Sequence, residues 1–152
     1  MQMRKTVDKI LANFLVVIMT LMVLNVLWQV ASRFILDAPS SFTDELARYL
    51  MIWIGVLGAA YISGRNMHVA IDVLPTRLSQ PIQKRLLIIV RILIILFCFL
   101  VMIIGGSRLV YITYVLGQNS PALQVPLAMV YAVIPISGFL IIYYKLSDIL
   151  KK

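Results

Sequence analysis

Four apolar runs, each close to the length needed to cross a bilayer, constrain this chain more than any other feature. A transmembrane helix needs about 20 mostly apolar residues, and residues 10–31, 45–63, 86–116 and 127–144 meet or approach that length. Composition agrees. Of 152 residues 62% are hydrophobic and only 13% charged, with a mean hydropathy of +0.98. So few charges cannot coat a soluble globule of this size. The expected fold is an all-α integral membrane protein, a single membrane domain over residues 1–152 with no internal repeat. Pro81 suits the first turn of the third helix, with Ser79 or Gln80 as its cap, and Gly117 suits that helix's stop. Pro126 suits the first turn of the fourth, and Pro135 should kink it, a kink that Ser137 or a neighbour can fix in place. The first run begins like a signal peptide. Its apolar stretch is too long for an h-region and no A-x-A site follows, so it reads as a retained anchor. The third run, about 46 Å as a helix, exceeds a bilayer core of about 30 Å and should tilt strongly.

Basic residues set the orientation. Arg4, Lys5, Lys9, Arg65, Arg77, Lys84, Arg85, Arg91, Lys145, Lys151 and Lys152 fall in or beside the two tails and the 64–85 loop, whereas only Arg33, Arg48 and Arg108 fall toward the other side. That bias puts both termini in the cytoplasm. It also accounts for the net charge of +8 through topology and anionic membrane lipid rather than nucleic acid. Arg91 and Arg108 are near enough to helix ends to snorkel. Residues 65–80 mix apolar and charged side chains and read as a segment lying on the inner surface. His68 sits there; it is the only histidine and reads as a loop-bonding residue more readily than as a switch. The lone Cys98 and lone histidine exclude an intrachain disulfide, paired-histidine haem ligation and a multi-histidine zinc site. No cofactor is expected.

Charge recurs where the second run begins, in "SFTDELARYLMIW", residues 41–53. Ser41 and Asp44 fit the [ST]-x-x-[DE] capping pattern. Asp44 and Glu45 suit the positive end of a helix, and Arg48 is spaced to pair with either. Three readings stay open: a capped helix end, an acid paired with Arg33 or Arg108 to clamp helices, or a group facing a partner protein. Asn25, Gln29 and Ser32 share one face of the first helix and can bond across to a neighbour. Gly55, Ala59 and Ser63 recur at spacing four on the second, which reads as close packing within the chain.

Longer stretches carry a resemblance. "FTDELARYLMIWIGVLGAAYISGRNMHVAIDVLP", residues 42–75, combines an acidic pair, an arginine, Trp53, a small-residue stretch and "HVAIDVLP". "NSPALQVPLAMVYAVIP", residues 119–135, follows before and into the fourth helix. Their order and spacing resemble the small membrane subunit, DctQ-like, of tripartite ATP-independent periplasmic (TRAP) transporters. The resemblance implies a bacterial inner-membrane system in which a periplasmic substrate-binding protein captures an organic acid. A large membrane subunit then moves the solute by a sodium-driven elevator motion, and the small subunit enlarges that subunit's static scaffold. It implies no enzyme activity. Asp44, Glu45, Arg48, Trp53, Asn25, Gln29, Arg108 and His68 are the candidate interface or structural residues. The alternative is a self-sufficient four-helix efflux transporter using Glu45. Against it, the spans carry no charge at mid-depth, where a lone transporter needs ionisable groups or broken helices. A membrane redox enzyme is a third class, disfavoured by the single cysteine and single histidine.

Overall fold

The computed structural model describes residues 2–35, 40–65 and 80–150. Four helices in it are long and apolar enough to cross a membrane. Helix α1 spans Gln2–Ile35 and α2 spans Ser41–Gly64. The third span is a continuous rod of α3 (Gln80–Phe97), a π-helical stretch (Cys98–Gly105) and α4 (Gly106–Val115). The fourth is α5 (Leu127–Tyr131) followed by α6 (Val133–Leu150).

Helix ends follow local chemistry. Pro81 falls in the first turn of α3, where its missing N–H costs nothing. Gly117 has φ +60, a conformation that glycine adopts freely. The Gly117 amide donates to the Tyr114 carbonyl and the Gln118 amide to the Thr113 carbonyl, so the helix closes in a Schellman motif. Pro126 caps α5 from just outside it rather than within its first turn. The N-cap of α2 is Ser40, with no side-chain cap bond, so the capping pattern begun at Ser41 does not form. Thr43 Oγ1 donates instead to the Ser40 carbonyl at 2.9 Å.

The fourth span breaks at Ala132. Pro135 lacks an N–H for the Tyr131 carbonyl and its ring crowds that carbonyl, and the next bond, Ile136 N–H to Ala132 O, is stretched to 3.4 Å. Ser137 does not brace this break. Its hydroxyl donates to the Val56 carbonyl on α2 at 2.8 Å.

The spans pack as an open row in the order one, two, four, three. The core lies along the middle of that row: Leu11 and Leu15 from α1, Leu57 and Ala60 from α2, Val133, Ile141 and Tyr144 from the fourth span, and Cys98 from the third. Three glycines permit the closest approaches, Gly138 among them, where a Cβ would lie 2.9 Å from Met102. A Cβ on Gly64 would lie 2.8 Å from the Tyr144 ring, and one on Gly106 would lie 2.9 Å from Ile134. The expected small-residue stripe does not pack as a unit. Ser63 is buried, but Gly55 and Ala59 are exposed, and a Cβ on Gly55 would meet nothing within 4 Å. The packing face of α2 is turned toward Leu57, Ala60, Ser63 and Gly64 instead.

Candidate functional site

Polar side chains gather at the two ends of the helices. At the end where α1 finishes and α2 begins, the two acids of residues 41–53 do different work. Glu45 sits on the first turns of α2, one helical step before Tyr49, whose hydroxyl donates to Glu45 Oε1 at 3.0 Å. The other oxygen, Oε2, accepts the backbone amides of Ala122 at 2.9 Å and Leu123 at 2.8 Å. Those amides belong to a tightly folded loop between the third and fourth spans. There Asn119 and Pro126 form an antiparallel bridge, the Ser120 amide donates to the Val125 carbonyl at 2.9 Å, and Ser120 is fully buried. Gln124 takes a positive φ of 55. One carboxylate therefore holds the start of span two against the loop that precedes span four.

Asp44 faces the other way. Its Oδ1 accepts from Gln29 Nε2 at 3.3 Å and its Oδ2 pairs with Arg48 Nη2 at 3.1 Å. Asn25 Nδ2 donates to the Thr43 carbonyl at 2.7 Å. Asn25 and Gln29, one turn apart on α1, thus bond across to α2 as their spacing predicts. Ser32 does not join them, because its hydroxyl returns to the Gln29 carbonyl at 3.0 Å. Trp53 lies deeper on α2, where its Nε1 donates to the Val130 carbonyl at 3.1 Å. That bond ties α2 to the fourth span inside the chain. Arg108 is exposed on α4. Neither it nor Arg33 forms an ion pair among the described residues, so the acid–arginine clamp is replaced by an acid–amide clamp. His68 and most of the segment 65–80 lie outside the described residues.

The opposite end holds a second cluster that sequence reasoning missed. Arg4 Nη1 pairs with Asp148 Oδ1 at 2.6 Å, with side chains only 16% and 5% exposed, and Arg4 Nη2 donates to the Gly64 carbonyl. Tyr144 donates to Asp8 at 2.6 Å, Lys145 Nζ to the Ser63 carbonyl at 3.3 Å, and Arg91 Nη1 to the Asp148 carbonyl at 3.1 Å. Arg91 is therefore spent on α6 rather than reaching outward. All four spans meet here. A signal was present: only six acids occur in the chain, and Asp8 and Asp148 stand among bases near the two termini.

Four membrane-crossing helices, an outer surface left largely apolar and charges confined to the two ends describe a membrane subunit but no particular one. Comparison with known proteins decides it. Residues 21–152 match the DctQ component of tripartite ATP-independent periplasmic transporters. The chain belongs to that family. It is 31% identical over 137 residues to a TRAP transporter small permease protein of Haemophilus influenzae, covering 89% of this chain and 82% of the relative. It is 29% identical over 140 residues to the ectoine TRAP transporter small permease TeaB of Halomonas elongata, covering 90% and 72%. A third relative is the isethionate TRAP transporter permease protein DctMQ of Oleidesulfovibrio alaskensis. There 29% identity runs over 116 residues, 74% of this chain but 18% of that much longer protein. This DctQ-family chain is thus a multi-pass membrane protein. TRAP small subunits work with a large membrane subunit and a binding protein.

Proposed function

We propose that this chain is the non-catalytic small subunit of a sodium-driven, binding-protein-dependent transporter for an organic solute, set in a bacterial inner membrane with both termini cytoplasmic. In this reading it packs on the large elevator-type subunit and enlarges its static scaffold. Its loop at 117–126 helps seat the periplasmic binding protein, and its long third span crosses the bilayer at a tilt. One observation carries the proposal: Glu45 at one end and Arg4, Asp8, Arg91, Lys145 and Asp148 at the other are engaged in holding this chain's own elements together. Between Arg91 and Arg108 on the third span, and between Arg48 and Arg65 on the second, no charged residue occurs. A chain that moved a solute by itself would need such groups near mid-depth. The efflux alternative requires Glu45 to bind and release its cargo, yet that carboxylate accepts two loop amides and the Tyr49 hydroxyl.

Reconstitution tests this directly. The purified chain alone in liposomes takes up no solute under a sodium gradient, and uptake begins when the large subunit and binding protein are added. Uptake by the chain alone would overturn the reading. Orientation is tested separately with single cysteines in a Cys98→Ser background. A cysteine at the exposed Asn119 reacts with an impermeant reagent from the periplasm and one at Lys5 does not.

A further inference from the structure

Two buried side-chain atoms have hydrogen-bonding needs that the described chain does not meet: Ser63 Oγ and Asp148 Oδ2. Ser63 is 1% exposed and Asp148 8%. Buried polar atoms in folded proteins are paired in the large majority of cases, and those without a protein partner commonly hold an ordered water. The two orphaned atoms belong to one neighbourhood. The Arg4 fork grips Asp148 Oδ1 with one nitrogen and the Gly64 carbonyl with the other, so the carboxylate and the 63–64 backbone stand on either side of a single guanidinium. Lys145, buried and one turn before Asp148 on α6, directs its ammonium to the Ser63 carbonyl at 3.3 Å. An ammonium has three N–H donors, and among the described residues that carbonyl takes one.

We propose that an ordered water molecule is bound among Lys145 Nζ, Ser63 Oγ and Asp148 Oδ2. It accepts from the ammonium and donates to the free carboxylate oxygen, while the serine hydroxyl serves as donor or acceptor. The chemistry of the three groups selects water over an ion. Arg4, Arg91 and Lys145 all point into this region, which repels a cation. Asp148 Oδ2 needs a donor, which a halide does not have. Water supplies both roles and gains about three partners, the usual number for a buried water. The site joins the C-terminal end of α2 to α6, where Ser63 Oγ and Asp148 Oδ2 share no direct bond.

The test has two arms on the full chain, purified with its large subunit in lipid nanodiscs. A density map fine enough to show ordered solvent is expected to hold a peak about 2.7–3.2 Å from all three atoms. No peak there, with Lys145 Nζ placed directly on Asp148 Oδ2, would overturn the assignment. The second arm is Ser63→Ala. If the hydroxyl is bonded to the water, its removal lowers the thermal midpoint by about 2–4 °C. A hydroxyl that is buried without any partner carries a desolvation cost that alanine removes. An unchanged or raised midpoint therefore also overturns the proposal.

Discussion

The two ends of this molecule solve the same problem by different means. At the end that holds both termini, side chains reach side chains across long sequence separations. Arg4 meets Asp148 and Asp8 meets Tyr144, 144 and 136 residues apart, out of water and with every span taking part. At the other end the decisive contact is a carboxylate on main-chain amides, from Glu45 to Ala122 and Leu123. The ion pair beside it, Asp44–Arg48, is exposed at 59% and 66%. An ion pair removed from solvent is costly to halve, because the survivor keeps its charge without its partner. An exposed pair at spacing four contributes little, because water and salt compete for both members. The first end locks the spans to one another. The second places a loop.

The contrast can be broken most forcefully at Asp148. Asp148→Ala leaves the Arg4 guanidinium without its carboxylate and is expected to cost about 3–5 kcal/mol. The readout is the thermal unfolding midpoint of the purified chain with its large subunit. A loss no greater than that of a surface substitution would mean that the buried pair is not what holds this end. Glu45→Lys comes next. It sets an ammonium against two amide donors and should free the 117–126 loop while leaving the spans inserted. Hydrogen exchange at Ala122 and Leu123 should quicken roughly tenfold, and uptake by the assembled transporter should fall. Unchanged exchange would show that the loop is held by its own turns. Gly64→Ala sharpens the comparison from the packing side, since its methyl group must displace the Tyr144 ring that bonds Asp8. A cost of about 1–3 kcal/mol is expected, measured as loss of midpoint. Arg48→Ala is the smallest, within about 0.5 kcal/mol, and both midpoint and uptake should stay at wild-type values. A large effect on uptake alone would make Arg48 a contact for another subunit.

Much of the architecture was legible in the sequence. Long apolar runs report their own helices because a bilayer leaves the backbone no other way to satisfy its polar groups, and Gly117, Pro81 and Pro135 mark a stop, a start and a break by chemistry confined to one or two residues. Helix limits were less legible. The first helix was expected over 10–31, yet α1 begins at Gln2, because Arg4 and Asp8 find partners on other helices and carry the helix through polar residues. Glu45 was recognised as a candidate, but its target was not. Backbone amides carry no side-chain signature, and these two lie 77 and 78 residues away. Asp8 and Asp148 escaped notice for a related reason: counting bases to assign a side of the membrane treats every charge near a terminus as solvated. The π-helical stretch "CFLVMIIG" has no proline and a glycine only at its far end, so its composition does not mark where the π-helical bonding begins.

That stretch has a consequence for how the chain tolerates changes in length. A π-helix closes its hydrogen bonds one residue further along than an α-helix, and within a longer helix it amounts to a local surplus of chain. Deleting one residue between Cys98 and Gly105 can be absorbed as ordinary α-helix, with the span still crossing the membrane. Each α-helical residue turns the following side chains by about 100°, so the same deletion in the α-helix before Cys98, which has no surplus, would rotate everything beyond it. Gly106 would leave its seat against Ile134, and Arg108 would be carried to a different side of the rod. The eight residues from Cys98 to Gly105 thus act as a length reserve. They can give up a residue while the second half of the helix keeps its facing.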